Sequence, residues 1–225
     1  MLNNGIKEIN EINKEFYKAH NTSFANSRKD NYWEGFSKAL NFIKTDSSIL
    51  DLGCGNGRFY EFLKQKNLKN EYLGIDNSIE FINQNKISFP EASFEVVDII
   101  NDISKISEEY DFVAVFGVTH HIPSKEFRKT WFESLGKTVS KNGYLFISFW
   151  NFDTSKADLN FKPEKYQIEN GDYFLGWKSD FKNHRYCHLF TTEEILETAT
   201  YLKNFEIISN FDLDSNKYLV LKRID

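Results

Sequence analysis

Long apolar runs are missing from this chain of 225 residues. The longest, such as Phe112 to Phe116, are far too short to span a bilayer. The opening stretch, Met1-Leu2-Asn3-Asn4-Gly5-Ile6-Lys7-Glu8, is polar and lacks the apolar core of a secretory leader. Cysteine is scarce: the chain has 2, Cys54 and Cys187, too few for a disulfide scaffold or a cysteine-built zinc site. A cytoplasmic, reducing location is therefore expected. Positive charge is not in excess either. Lys and Arg number 28 against 33 Asp and Glu, a net charge of −5, which argues against a wholesale polyanion binder and leaves room for a local basic patch. Repeats, low-complexity tracts and linkers are absent. What is plentiful is core material: 40% apolar residues, 16% aromatics and 22 Phe, which excludes a disordered chain. At roughly 150 residues per domain, the length suggests one elaborated domain spanning 1–225.

The patterning divides that domain. Ile6, Ile9, Ile12, Phe16 and Ala19 recur at helical spacing, which predicts an amphipathic helix over 5–20. Residues 21–33 read as a loop, and Phe36, Leu40 and Ile43 suggest a second helix, so 1–46 forms a helical cap. From Ser48 onward, short apolar runs alternate with helical stretches: strands at 48–52, 72–75, 94–97, 112–116 and 144–149, helices between them, the one at 101–108 being weak. Five such alternations call for a parallel sheet with crossover helices on both faces, over a core of 47–150. Residues 151–190 are aromatic and charged without a clear period, and read as an insert or lid. In the last segment, 191–225, a helix at 192–202 precedes a strand pair around Asp212-Leu213-Asp214-Ser215-Asn216, whose hairpin would make the final strand antiparallel.

The sharpest motif is Leu50-Asp51-Leu52-Gly53-Cys54-Gly55-Asn56-Gly57, which ends the first strand and opens a helix. Side chains at the glycines would keep a ligand from the backbone. The spacing is one residue shorter than a dinucleotide loop, and Asp51 would be a poor neighbour for a phosphate but suits an amine-bearing ligand. Asp76, in Gly74-Ile75-Asp76-Asn77, ends the second strand, where a carboxylate can accept hydrogen bonds from both hydroxyls of a ribose. Asp98 and Ile99 end the third strand and offer an acceptor beside an apolar side chain, as an adenine requires. An amine site, a ribose site and an adenine site are the parts of S-adenosyl-L-methionine.

This arrangement resembles the class I S-adenosylmethionine-dependent methyltransferases. The resemblance covers residues 48–150 and implies a Rossmann-like, seven-stranded, mostly parallel α/β sheet with an antiparallel last strand. It also implies a cofactor site at Asp51, Gly53, Cys54, Gly55, Asn56, Gly57, Asp76, Asn77, Asp98, Ile99 and Phe116. In that family the segment Phe116-Gly117-Val118-Thr119-His120-His121 lies under the transferring methyl group. A metal reading of the two histidines is set aside, because neighbouring residues diverge and no third ligand stands at zinc spacing.

Further segments resemble the tRNA wobble-uridine carboxyl-methyltransferases, which esterify 5-carboxymethyluridine in the anticodon. There an Arg and a Trp precede the glycine loop, His-His ends the fourth strand, a Trp follows the fifth, and Arg-Tyr-Tyr-His closes the insert. The matching positions here are Arg28, Trp33, His120, His121, Trp150 and Arg185-Tyr186-Cys187-His188, with Cys187 replacing the second Tyr. A carboxylate acceptor needs no strong base but does need a cationic clamp, so Arg28, His120, His121 and Arg185 are the candidates for catalysis. Trp33, Trp150, Trp177, Tyr186 and His188 are the candidates for holding a base. The resemblance further implies tRNA as partner, with a small activator subunit as in the eukaryotic relatives. The negative charge means that cations must gather on one face, with Lys178, Lys182, Arg185, Lys222 and Arg223 available. Two alternatives remain open: a small-molecule carboxyl, oxygen or nitrogen methyltransferase, and a non-catalytic S-adenosylmethionine-binding partner subunit.

Overall fold

The computed structural model describes residues 3–26, 33–177 and 180–225. The chain begins with α1 (Asn4–Asn26) and α2 (Glu34–Ala39), then alternates β1 (Ile49–Leu52), α3 (Arg58–Gln65), β2 (Tyr72–Asp76), α4 (Ile79–Ser88), β3 (Ser93–Val96) and α5 (Ile99–Asp102). It continues with β4 (Tyr110–Val115), α6 (Lys125–Gly136) and β5 (Val139–Trp150). The last part holds β6 (Asp172–Trp177), β7 (Asp180–His188), α7 (Thr192–Tyr201), β8 (Phe205–Leu213) and β9 (Asn216–Arg223).

Seven of these strands form one sheet in the order β3-β2-β1-β4-β5-β9-β8. β1 pairs in parallel with β2 on one side and β4 on the other, and every residue of β1 is buried, as expected of a strand covered on both faces. Its side chains alternate between two cores. Ile49 joins Phe59, Phe112 and Phe146 on one face, while Leu50 and Leu52 join Val113, Trp131 and Leu145 on the other. β9 runs antiparallel to β5, from Tyr144 opposite Lys222 to Trp150 opposite Asn216. The expected mixed sheet with one reversed strand is what forms. After β1 the chain works outward through β2 and β3, then returns to β4 on the other side. This reversal opens a crevice at the carboxyl ends of β1 and β4.

Three elements differ from the sequence reading. α1 continues to Asn26, beyond the expected end near 20, since the Asn, Thr and Ser that suggest a loop are only mildly unfavourable in a helix. The insert at 151–190 contains an antiparallel hairpin, β6 with β7, that its sequence did not announce. Its buried residues include Asp172, Arg185 and His188, so the apolar alternation that marks a strand is broken by buried polar groups. The weak helix expected over 101–108 shrinks to α5 and a single 3-10 turn at Ile103–Lys105.

Candidate active site

The glycine loop turns between β1 and α3 through left-handed residues, with φ of +75°, +53° and +76° at Gly53, Gly55 and Gly57. At Gly53 a Cβ would lie 2.3 Å from Cγ2 of Val118, so a side chain is excluded by both conformation and contact. At Gly55 a Cβ would meet nothing within 4 Å, because that backbone borders a cavity of about 150 Å³. Asp51, Cys54, Asn56, Asp76, Asn77, Ile99 and Phe116 line it. Gly57 does not line it; it stands at the start of α3.

The three strand-end acids have different fates. Asp51 is buried, and Tyr72 donates its hydroxyl to Asp51 Oδ2 at 2.6 Å. Burial pushes the Asp51 carboxyl up to about 7, against the pull of that hydrogen bond. Asp76 accepts from the Gly55 N–H at 2.9 Å and the Ser78 N–H at 2.9 Å, which ties the end of β2 to the glycine loop. Burial raises it as well, and these backbone donors oppose the rise. Asp98 is turned away from the cavity. It caps α5 by accepting from the Ile100 and Asn101 N–H groups, and takes further bonds from Asn10 at 2.8 Å and Lys14 at 3.0 Å. The adenine-acceptor expectation for Asp98 is therefore corrected. Its oxygens are consumed in fixing α1 over the sheet, and its turn contributes Ile99 and Ile100 to the cavity instead. Although burial pushes the Asp98 carboxyl up, the bonds from Lys14 and Asn10 hold it below its usual value.

A second cavity, of about 120 Å³, adjoins the first and shares Tyr17, Trp33 and Gly117 with it. Its remaining lining is His120, Trp150, Arg185, Ser215 and Asn216. Arg185 projects from β7 with its guanidinium 4.8 Å from the Trp150 ring centroid and 5.0 Å from that of Phe16. It is 7% exposed, makes no ion pair among the described residues, and its Nε has no hydrogen-bond partner there. A cation buried this way lacks a compensating anion among the described residues.

His121 lines the first cavity and is engaged at both ring nitrogens. The Tyr186 carbonyl, 2.8 Å from His121 Nδ1, can only accept, so Nδ1 carries the proton. In the neutral ring His121 Nε2 then accepts from the Tyr17 hydroxyl at 2.7 Å. The His120 ring lies 4.1 Å from that of His121 and 5.2 Å from that of Trp150. Contrary to the expected divergence, the two histidines converge, and Cys187 adds a third ligand atom within 4.8 Å. A 3-10 turn at Thr119–His121 brings the rings together. A cation here would have to break one of the His121 bonds and stand beside Arg185. It would also have to deprotonate a thiol that burial pushes up to about 12, against the pull of that arginine.

Three expected base-holding residues lie elsewhere. Tyr186 and His188 are fully buried, and both bind Asp172, at 2.6 Å and 2.7 Å. Tyr166 and the Glu169 N–H complete four donors on that carboxylate, each at 2.8 Å. On β7 the odd-numbered Arg185 turns toward the cavity, so Tyr186 and His188 point into the hairpin's own core. Trp177 packs behind the cavity on α1, near-parallel to His20 at 6.1 Å. Arg28 lies outside the described residues. The residues missed are Asn10, Asn13 and Tyr17 of α1, which line the first cavity. One signal could have found them: Asn10 and Asn13 fall on the same helical face as Ile6, Ile9 and Phe16, where a polar residue needs a reason.

The sheet with its single reversed strand, and the glycine loop at its switch point, define the class I S-adenosylmethionine-dependent methyltransferase fold. A family model described as a methyltransferase domain matches residues 24–210, and the chain belongs to that family. It is an S-adenosyl-L-methionine-dependent enzyme. It is similar to the tRNA (carboxymethyluridine(34)-5-O)-methyltransferase of Arabidopsis thaliana, with 27% identity over 88% of this chain and 48% of that protein. It is also similar to the enzyme of the same name from Schizosaccharomyces pombe, with 23% identity over 86% of this chain and 90% of that protein. Thus the chain spans about half the length of the plant relative and most of the yeast one. Among solved structures, an S-adenosylmethionine-dependent methyltransferase of Methanosarcina mazei superposes with a TM-score of 0.66 at 18% identity, covering 82% of this chain and 96% of that one.

Proposed function

We propose that this enzyme methylates a carboxylate, and that the acceptor is the carboxymethyl arm of 5-carboxymethyluridine at the wobble position of tRNA. The observation that carries the reading is Arg185: a buried cation without an ion pair among the described residues, between aromatic rings, in a cavity contiguous with the cofactor cavity. A guanidinium fork matches a carboxylate, and the Trp33 and Trp150 rings give a base flat surfaces to stack on. The two tRNA methyltransferases named above support the acceptor class.

In this reading the glycine loop and Asp76 hold the nucleoside part of S-adenosyl-L-methionine, and Asp51 faces its amine. When bound, the cofactor supplies a sulfonium methyl group. The chain's own contribution is placement and exclusion of water. Arg185 and His120 orient the carboxylate, which is ionised at neutral pH and needs no proton removed. Gly117 borders both cavities and Phe116 the first.

Tyr17 favours a second reading. With His121 neutral, its hydroxyl donates to His121 Nε2 and gives a proton from the acceptor a route to the imidazole. That suits an acceptor with a proton on the attacking atom, such as an amine or phenol of a small molecule. One assay separates the two. Methyl-labelled S-adenosyl-L-methionine is incubated with tRNA carrying 5-carboxymethyluridine, and the product is treated with mild alkali. Label that enters the RNA and is released by alkali is an ester and supports the first reading. Alkali-stable label moves the acceptor atom to nitrogen, carbon or a ribose oxygen. Absence of label, with cofactor binding confirmed, leaves the small acceptor or the non-catalytic subunit.

A further inference from the structure

Asp98 is spent on α1 and on the cap of α5, so the amino group of an adenine lacks the acceptor expected for it at the end of β3. The wall of the same cavity supplies another. Asn10 of α1 is 3% exposed and lines the first cavity, as do Ile99 and Ile100 of the turn that Asp98 caps. Its Nδ2 donates to Asp98 Oδ2 at 2.8 Å. Its Oδ1 takes no hydrogen bond among the described residues, yet it is not sealed in the core and keeps accessible surface.

An amide can in general turn over and exchange its oxygen for its nitrogen. The amide of Asn10 is fixed in one sense. Lys14, 3.0 Å from Asp98 Oδ2, helps to keep that carboxylate ionised, and an ionised carboxylate only accepts. The nitrogen of Asn10 must therefore face Asp98, and its oxygen must face away from it. Asp98 is itself held in place, because its Oδ1 accepts from the Ile100 and Asn101 N–H groups. An acceptor of fixed direction beside two isoleucine side chains is what an adenine needs: apolar contact for its faces and an oxygen for its amino group.

We infer that Asn10 Oδ1 accepts the hydrogen bond from the adenine amino group of the cofactor, and that Asp98 is a positioning residue that sets the direction of the Asn10 amide. This rests on the reading that seats the nucleoside between Asp76 and the turn after β3, and it is independent of the methyl acceptor. A base with an amino group at C6 pairs the Asn10 oxygen. A base with hydrogen there leaves that oxygen covered and unpaired.

The test uses the full chain, titrated by calorimetry with S-adenosylhomocysteine and with the analogue in which purine replaces adenine, so that only the amino group is missing. The native protein is expected to bind the first at least about fivefold more tightly. Asn10→Ala is expected to bind both alike. Asp98→Asn has nearly the same size, but it offers Asn10 an N–H and lets its amide turn over, so it is expected to lose the preference as well. A merely structural role for either side chain would lower both affinities together and keep their ratio. Equal binding of the two compounds by the native protein overturns the role of Asn10, and this comparison stands even if a variant folds poorly. A preference retained in either variant overturns it too. Binding of neither compound by the native protein overturns the seating of the nucleoside itself.

Discussion

Arg185 is the residue on which the acceptor reading turns, and Asp76 is its counterpart for the cofactor. Asp76→Ala removes the acceptor at the end of β2 and also unties Gly55, so cofactor affinity by calorimetry is expected to fall by at least about tenfold. Unchanged affinity would show that the ribose site lies elsewhere. Asp51 adds a pH dependence whose direction follows from burial. Its carboxyl rises from 3.8 to about 7 on folding, so between those values the folded chain holds a proton that the unfolded chain has released. Its contribution to stability is therefore fully present below about 3.8 and lost as pH rises through about 7. The melting temperature of the ligand-free protein is expected to fall between pH 5 and pH 8, and Asp51→Asn should flatten that decline. A slope that Asp51→Asn leaves unchanged would place the proton on another group. Over the same range cofactor affinity should rise, since an ammonium prefers the ionised carboxylate. Asp51, Asp76 and the glycines were legible in the sequence because a short strand, a glycine loop and an acid at the next strand end occupy consecutive stretches. Asp98 was misread because the same position serves equally well as a helix cap, and only the arrival of Asn10 and Lys14 from α1 decides its orientation.

At the scale of elements, the β6–β7 hairpin sets where Arg185 points. Its interior is organised by Asp172, which takes four hydrogen bonds. Burial pushes this carboxyl up, but the bonds from His188, Tyr186, the Glu169 backbone and Tyr166 bring it below its ordinary value. Its contribution to stability is thus present above 3.8 and lost as pH falls below that value. Asp172→Ala leaves Tyr186 and His188 buried without their acceptor and is expected to cost about 3–5 kcal/mol in chemical denaturation. A loss below about 1 kcal/mol would mean that water or a neighbour replaces the carboxylate. The hairpin also shows where sequence reading stops. Strands β1 and β4 were evident as apolar runs because parallel strands are covered on both faces. β6 and β7 were not, because their buried positions include Asp172 and His188 on one face and Arg185 on the other, polar residues that break the apolar pattern. Tyr186 and His188 were assigned to substrate for the same reason: a motif of polar and aromatic residues does not reveal which of its alternating members faces the ligand.

For the whole molecule, the two cavities meet where α1, the end of β4 and the end of β5 converge, around Tyr17, Trp33 and Gly117. The mixed sheet could be read from the order of strands and helices. The convergence of α1 with β7 could not, since it brings Asn13 to the Tyr186 N–H, at 2.8 Å, and Phe16 to Arg185 across most of the chain. The net charge of −5 bears on the acceptor. Of the cations expected to gather on one face, Arg185 is buried in the cavity and Arg223 bonds Glu109 at 2.8 Å; Lys178 lies outside the described residues. If tRNA is bound through the remaining lysines, turnover at low tRNA should fall at least about tenfold between 50 mM and 200 mM salt. Salt-independent turnover would favour a small acceptor. The most direct test compares native enzyme with Arg185→Ala, measuring S-adenosyl-L-methionine affinity and methyl transfer to tRNA carrying 5-carboxymethyluridine in the same preparations. The variant is expected to keep cofactor affinity within about twofold and to lose about 100-fold in turnover, as for removal of one partner from a buried charge pair. Native turnover in the variant would contradict the placement of the acceptor carboxylate on Arg185.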